Sequence, residues 1–376
     1  MNFGFNEEQR SLGETVSQLL GDFPALTGPD PAEGRDPAVW TALAELGLFA
    51  LLVPEEHGGV GLALVDLALA IEALGAGIAP PIASSTLIAT EVIVRHGTDV
   101  QKASLLPRIA AGELRIALAA MEADQGYDPG DVQTAVAGNG ISGSKILVPE
   151  AADADLFLVL ARIDADVGLA LVAREARGVS VRAHDDIDPS ARLCALTFDG
   201  AALQDGALLG HKSSAAAVTR LYDVAATVHA GLEIGIAARM LDTAVDYAKT
   251  RVQFGQPIGS FQAIKHRCAD MAVAVEAGRS AAYYAFWAVS EDAPDRSRAS
   301  SMAKAYCGEV ARDACNEAIQ IHGGMGFTWE LPLHRFLRRA KVLEHSFGNH
   351  AWHYERVMSE TLLIRQSAAD DRRDAA

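Results

Sequence analysis

The stretch from Arg251 to Gln262 carries the residues best suited to chemistry. It places a cation at Arg251, an aromatic ring at Phe254 and an amide at Gln262, around a turn that contains two glycines and a proline. Glycine tolerates unusual backbone angles and proline lacks an N–H, so this turn separates two helical patterns. Taken alone, an arginine before a turn is most often a solvated charge, and its meaning depends on the rest of the chain.

A second stretch, from Gln320 to Phe327, gives that arginine more weight. Here a helical pattern ends in a glycine-rich turn at His322, Gly323 and Gly324. Glycines allow another backbone or a phosphate-bearing ligand to come close, whereas the simpler alternative is a helix C-cap. For His322, a polar structural role is favoured over proton transfer.

The elements that must position these stretches follow a helix–sheet–helix order. Apolar residues recur at helical spacing in segments 6–21, 38–47, 63–74, 83–96 and 100–111. Short alternating or β-branched runs follow at 115–121, 141–148, 155–161, 169–173, 179–183 and 194–198, as in an antiparallel sheet. The remainder, to about residue 365, predicts four long helices and a shorter one, arranged as an antiparallel bundle. The sequence therefore predicts an α+β chain with a helical domain (1–114), a β domain (115–212) and a helical bundle (213–376).

Composition narrows the function classes. The 376 residues include 32 Lys and Arg against 49 Asp and Glu, a net charge of −17, which argues against nucleic acid or an anionic membrane as a partner. The four cysteines have no paired spacing, so no metal site is expected, and we interpret them as reduced thiols in a cytoplasmic protein. Neither a signal peptide nor an apolar run of about 20 residues is expected from the sequence.

The two stretches together resemble the acyl-CoA dehydrogenase family. The patterns Arg-x-Gln-Phe-Gly-x-Pro-Ile-Gly-x-Phe-Gln and Gln-x-x-Gly-Gly-x-Gly-Phe occur intact, in the family's order and separation, and the likeness extends over residues 1–365. It implies an N-terminal all-α domain, a central antiparallel β-barrel or sandwich and a C-terminal four-helix bundle. It also implies FAD between the β domain and the bundle, in a homo- or heterotetramer. By this resemblance, Arg251 pairs with the pyrophosphate, Phe254 packs near the adenine, and Gln262, Gln320, His322, Gly323 and Gly324 hold the adenosine half from an adjacent subunit.

The loop that holds the flavin ring in the family is only partly preserved. In the run 119–128, Glu122, Gly126 and Asp128 match the pattern, whereas Met121, Ala123 and Tyr127 depart from it. The resemblance leaves Met121 only backbone groups for the flavin and makes Tyr127 a weak candidate for contact with the substrate, because its position borders the acyl chain and CoA. The run 145–149 lies at the second flavin loop but lacks its usual Trp and Thr or Ser.

The resemblance implies α,β-desaturation of an acyl-CoA, and the catalytic base is where the sequence departs most. The Glu of the family's Tyr-Glu-Gly-Thr run corresponds to Phe347, and the other position used for a base in the family corresponds to Ala225. Neither side chain accepts a proton. Asp223 and Glu233 lie on either side of Ala225, and each is better explained as a solvated or capping charge. Glu330 is better explained as a helix-end or ion-pair residue.

Three functions remain open from the sequence. The first is a dehydrogenase subunit that pairs with a related, base-bearing chain, since the Phe-Thr-Trp-Glu and Ser-Phe-Gly-Asn runs resemble bacterial subunits that act on steroid side chains. Acyl-CoA, from a fatty acid or a steroid, and an electron-transferring flavoprotein are the partners that the family implies. The second is a flavin monooxygenase or oxidase of the same fold, and the third is a non-catalytic structural subunit.

Overall fold

The computed structural model describes residues 4–28, 37–210 and 214–374, with side chains of the last helix described as far as residue 364. The N-terminal region is helical, as predicted. Its helices are α1 (Glu7–Gly21), α2 (Ala38–Glu45), α3 (Ala68–Ala76), α4 (Pro81–His96) and α5 (Asp99–Ala110). Helix α1 begins with a capping box, in which the Asn6 side chain accepts from the backbone of Gln9 at 2.8 Å and the Gln9 side chain accepts in return at 2.9 Å.

The central region is a curled seven-stranded sheet. Its strands are β1 (Ile116–Ala119), β2 (Ala135–Ala137), β3 (Gly140–Pro149), β4 (Leu156–Ile163), β5 (Asp166–Ala173), β6 (Val179–Ala183) and β7 (Leu193–Ala202). Most pairings are antiparallel, but β1 and β2 both pair parallel with β4. The prediction of a purely antiparallel sheet is wrong in this respect, and the short strand β2 was not predicted. The predicted boundary near residue 212 falls on residues 211–213, outside the described part of the chain.

The C-terminal region contains four long helices and a shorter one, as predicted. They are α6 (Ala215–Thr250), α7 (Gln262–Ser290), α8 (Arg296–His322), the shorter α9 (Leu333–Glu344) and α10 (His350–Asp374), with a two-stranded hairpin, β8 (Val252–Gln253) and β9 (Gln256–Pro257), after α6. Helix α6 is long and apolar enough to cross a membrane, but 83% of its most apolar window is buried within the protein. Such burial is expected for the core helix of a soluble fold.

Helices α3 and α6 cross with their backbones in close contact. A Cβ added at Gly75 would lie 2.1 Å from the carbonyl oxygen of Leu232, and one added at Gly235 would lie 1.9 Å from the carbonyl oxygen of Glu72. Side chains at these two positions are therefore excluded by the backbone of the opposing helix. This crossing fixes the middle of α6 against the N-terminal region, and it sets one wall of the cavity described below.

Candidate functional site

The end of α6 presents Arg251 on the surface. Its backbone N–H donates to the carbonyl of Tyr247 at 2.8 Å, and its own carbonyl accepts from Ile258 at 2.8 Å, so the backbone on both sides of the guanidinium is fixed. The side chain is exposed and has no ion-pair partner among the described residues. At the tip of the hairpin, Phe254 has a left-handed φ of 54° and is 91% exposed. An exposed cation and an exposed aromatic ring, which meets Phe261 edge-on at 6.0 Å, thus project from one turn.

The second predicted stretch lies next to the first. The ring of His322, at the end of α8, stacks on that of Tyr247 with centroids 4.1 Å apart, and its Nδ1 lies 2.7 Å from the carbonyl of Ala318. Burial lowers the pKa of His322, so its ring is a neutral structural element that joins α6 to α8. Gly323 follows with a left-handed φ of 61°, and a Cβ at Gly323 or Gly324 would meet nothing within 4 Å.

We call the exposed part of this region the dinucleotide surface. It consists of Arg251, Phe254, Gln262, Gln320, Gly323 and Gly324, all of which are exposed. The surface combines a cation, two amides and an open glycine turn, a set of groups that can bind phosphates.

The run 119–128, which we call the β-domain loop, is anchored by a buried ion pair. The ammonium of Lys145 lies 2.7 Å from the carboxylate of Glu122, which also accepts from the backbone of Gln133 at 2.8 Å and of Thr134 at 2.9 Å. Burial lowers the pKa of Lys145 to about 8, with Glu122 opposing it. Burial also raises the pKa of Glu122, but the hydrogen bond from Lys145 and others outweigh it and leave that pKa below its ordinary value. These residues therefore hold the loop in place.

Met121 and Phe347 line the same cavity, at the junction of the three regions. We call it the inner cavity; its volume is about 50 Å3, and its walls come from α3, α4, β1, β3, α6 and α9. Its lining is mostly apolar and includes Leu118, Met121, His229, Leu232, Leu343 and Phe347. The structure therefore brings Phe347, where the resemblance places the family's base, close to Met121, and the lining of the cavity between them includes no carboxylate.

The other carboxylates considered from the sequence do not line this cavity. Asp223 is fully buried and bound by Ser297 at 2.8 Å and Arg356 at 2.5 Å. Glu233 is fully buried and pairs with Lys304 at 2.8 Å. Glu330 is exposed in the turn before α9, and Ala225 is buried without lining the cavity. Asp223 and Glu233 therefore stabilise contacts between helices. The prediction that they are solvated or capping charges is wrong, because both are buried and paired with cations on other helices.

His229 is a cavity residue that the sequence reasoning missed. It lies four residues after Ala225 and therefore on the same face of α6, so helical spacing was the signal that pointed to it. Its Nδ1 has no hydrogen-bond partner, and its ring meets that of Phe347 edge-on with centroids 5.7 Å apart. Burial, assisted by the nearby Lys304, lowers the pKa of His229 to about 3. The imidazole is therefore neutral and too weakly basic to hold a proton taken from carbon.

Tyr127 stands on the β-domain side of a group of aromatic residues. Its ring centroid lies 6.4 Å from that of Trp352 on α10, and burial raises the pKa of its hydroxyl. Trp352 in turn lies 5.8 Å from Tyr222 on α6. Tyr127 thus faces the aromatic residues around Phe347 and is not part of the lining of the inner cavity.

Most of the chain matches the three domains of one protein family. The N-terminal domain of acyl-CoA dehydrogenase matches residues 6–113, the middle domain residues 117–201 and the C-terminal domain residues 215–362. The probable acyl-CoA dehydrogenase YngJ of Bacillus subtilis is 30% identical, with 92% of this chain and 95% of that protein covered. The match in sequence thus extends through all three regions.

Solved structures agree with the sequence match. The ChsE4-ChsE5 complex from Mycobacterium tuberculosis contains a chain that is 26% identical, with a TM-score of 0.86 over 96% of this chain and 99% of that chain. A variant of the Tcur3481-Tcur3483 steroid ACAD contains one that is 30% identical, with a TM-score of 0.85 over the same shares, 96% and 99%. The chain described here belongs to the acyl-CoA dehydrogenase family, whose members depend on FAD.

Proposed function

We propose that this chain is a subunit of a heteromeric FAD-dependent acyl-CoA dehydrogenase, in which a related companion chain carries the catalytic base. The observation that carries the proposal is the content of the inner cavity. The two positions that the family uses for the base hold Phe347 and Ala225, and the cavity lining described above includes no Asp or Glu. A chain that lacks the base but keeps the surface for the dinucleotide suits an assembly in which this chain helps to bind the dinucleotide and the companion chain supplies the base.

The dinucleotide surface fits the cofactor that the family requires. Arg251 has no competing carboxylate among the described residues, and Gly323 and Gly324 leave open space for a phosphate to approach. We infer that Arg251 holds the pyrophosphate, that Phe254 packs near the adenine, and that Gln262, Gln320 and the Gly323–Gly324 turn hold the adenosine half. His322 supports this turn from beneath through Tyr247.

The surface and the inner cavity of one chain belong to different flavin sites in this proposal. His229 and Arg251 are both placed by α6 and are 22 residues apart, which is about 33 Å along a helix axis. In our proposal, each chain therefore gives its surface to a neighbour. The assembly would be a tetramer made of two dimers, with an electron-transferring flavoprotein as electron acceptor, in the cytoplasm.

The reaction we propose for the assembly is α,β-desaturation of an acyl-CoA. Bound FAD supplies the acceptor for the hydride that leaves the β-carbon, and a carboxylate of the companion chain accepts the α-proton. The residues of this chain bind and orient the dinucleotide, and Glu122 and Lys145 hold the β-domain loop in position. Similarity to the Tcur3481-Tcur3483 steroid ACAD supports a bulky acyl group as the substrate that the companion chain binds.

Co-expression tests the proposal directly. The chain is produced alone and together with a related dehydrogenase chain from the same host, and the flavin spectrum is recorded before and after a panel of acyl-CoAs is added without oxygen. We expect stable flavin and its bleaching only when both chains are present. Full desaturase activity in a homo-oligomer of this chain would refute the division of tasks, and oxygen-dependent product without acyl-CoA would favour a monooxygenase or oxidase.

A further inference from the structure

Two spaces meet at a cluster of aromatic side chains, Tyr222, Phe347 and Trp352, which we call the aromatic cluster. On one side lies the inner cavity, lined by Phe347. On the other lies an outer recess of about 370 Å3 between the β-domain loop and helices α6 and α10. Its lining includes Asp128, Tyr222, Trp352, Glu355, Arg356 and Glu360. Tyr222 and Trp352 therefore separate the two spaces, with Phe347 behind them.

The cluster is packed firmly enough to act as a wall. The ring of Phe347 meets Tyr222 edge-on at 5.5 Å and His229 edge-on at 5.7 Å. Its backbone has a left-handed φ of 57°, which an aromatic residue adopts only where its surroundings hold it. A Cβ at the next residue, Gly348, would lie 2.5 Å from the Trp352 ring, so the turn and the ring are in direct contact.

The space behind this wall is small. Small-molecule sites occupy roughly 300–1,000 Å3, whereas the inner cavity encloses about 50 Å3. The alanines of α6 do not enlarge it, because the residues of α6 that line it are His229, Leu232 and Ile236. An acyl chain would have to displace the Phe347 ring to enter from the outer recess.

The outer recess is also electrostatically unsuited to CoA. Asp128, Glu355 and Glu360 line it, and the cation in its lining, Arg356, is bound to the buried Asp223 at 2.5 Å and lies over the Trp352 ring at 5.6 Å. Because CoA carries several phosphates, a recess with three carboxylates and an engaged arginine disfavours it. The recess adjoins Tyr127, whose position borders the acyl chain and CoA in the resemblance described above.

We propose that Phe347 is a steric block that keeps acyl-CoA out of this chain's own inner cavity, so that the companion chain alone binds the thioester. This inference rests on the proposed function, in which the companion chain has a complete acyl site. It extends that proposal because the Phe347 ring would both replace the base and prevent acyl-CoA from entering the inner cavity. Substrate choice would then be determined by the companion chain.

Counting binding sites tests the inference. The flavin-loaded assembly is titrated calorimetrically with the octyl thioether of CoA, which has no carbonyl to acidify an α-proton and is not oxidised. We expect the wild-type assembly to bind one thioether per companion chain and none per copy of this chain. Phe347→Gly removes the ring at a backbone angle that suits glycine, so it should add a second and weaker class of sites, one per copy of this chain, because the carboxylates of the outer recess still disfavour CoA. Leu343→Ala is the matched control, because it enlarges the same cavity and leaves the wall intact.

The outcomes separate the two proposals. Wild-type binding of one thioether per copy of every chain would overturn the block while leaving the heteromer in place. A folded, flavin-loaded Phe347→Gly assembly with an unchanged number of sites would also overturn it, as would equal gains from Leu343→Ala. An assembly that holds no flavin and binds no thioether would instead refute the proposed function. If Phe347→Gly does not assemble, the number of thioether sites in the wild-type assembly still decides whether acyl-CoA is kept out of this chain.

Discussion

The dinucleotide surface and the inner cavity stand at opposite extremes of exposure. Arg251 and Phe254 project into solvent from a rigid hairpin, whereas Phe347 and His229 are buried against each other at the junction of three regions. The surface keeps the residues that the proposal assigns to the dinucleotide, and the inner cavity presents Phe347 where the resemblance places a base. In the proposed assembly, the part of the site that serves a neighbour is therefore kept, while the part that would serve this chain is closed.

The largest effect is expected at the buried pair behind the cavity. Lys304→Met leaves the carboxylate of Glu233 unpaired between α6 and α8, and this should lower the free energy of unfolding by about 3–5 kcal/mol. Burial already raises the pKa of Glu233 to about 7, against the effect of Lys304. Between pH 4.5 and about 7 the folded chain thus binds more protons at Glu233 than the unfolded chain, so this contribution to stability falls as the pH rises through that window. The loss in Lys304→Met should therefore be larger at pH 8 than at pH 5.

Urea unfolding at both pH values measures this effect. The double variant Lys304→Met with Glu233→Gln is the control, because it removes the charge that is left unpaired and should recover much of the loss. Equal losses of unfolding free energy at pH 5 and pH 8 would contradict the prediction that the unpaired carboxylate of Glu233 causes the loss. The content of bound flavin per folded chain should stay unchanged, since the dinucleotide surface does not include this pair.

At Arg251 we expect the opposite result, a loss of FAD affinity with little loss of stability. Arg251→Leu removes charge-assisted hydrogen bonds to the pyrophosphate and should weaken FAD binding roughly 10- to 100-fold, with little change in thermal stability of the flavin-free protein. Flavin affinity of the assembly is measured by fluorescence titration. Lys249→Ala is the control, since it removes a neighbouring exposed cation outside the proposed site. Retention of wild-type affinity by Arg251→Leu would remove the main support for the dinucleotide surface.

Acid should lower the free energy of unfolding through His353, a buried histidine on α10. Burial lowers the pKa of His353 to about 2, with a further contribution from Lys304, whereas an unfolded histidine titrates near 6.5. Between these values the unfolded chain binds one more proton, so this residue should reduce stability by about 1.4 kcal/mol for each pH unit below about 6.5. His353→Leu should flatten the dependence of unfolding free energy on pH between 6.5 and 5. The exposed His266→Gln is the control, and an identical slope in both variants would contradict the prediction.

The smallest effect is expected at Phe254. Because the ring is 91% exposed, Phe254→Ser should leave stability within about 0.5 kcal/mol and weaken FAD binding only a few-fold. Val100→Ser, at an apolar residue that is 79% exposed far along the sequence, is the matched control for loss of exposed apolar surface. An equal change in flavin affinity in the two variants would place Phe254 outside the site.

Local patterns allowed much of the fold to be predicted from the sequence. The turns after Arg251 and His322 depend on residues close in the chain, and both were predicted correctly as helix boundaries. The parallel pairing of β1 with β4 was missed because strand order depends on packing between distant segments. The proposed roles in FAD binding remain predictions.

The cavity was harder to predict because its properties come from distant partners. Asp223 is bound by Arg356, 133 residues away, and Glu233 by Lys304, 71 residues away, so sequence spacing alone gave no sign that either carboxylate was engaged. The position of Phe347 was identified by matching to a family pattern. Its contacts with Tyr222 and His229, however, could be found only after α6 and the turn before α10 were brought together.

Helix α6 also has a genetic consequence in the proposed assembly. It carries His229 near its middle and leads to Arg251 at its end, so that one continuous element contributes to two different flavin sites. Lesions at these two places in the same gene would then damage different sites. Because this chain's own cavity binds no acyl-CoA in the proposal, alleles altered at Arg251 should abolish desaturation at the companion chain's site, whereas alleles altered in the cavity should leave that site working.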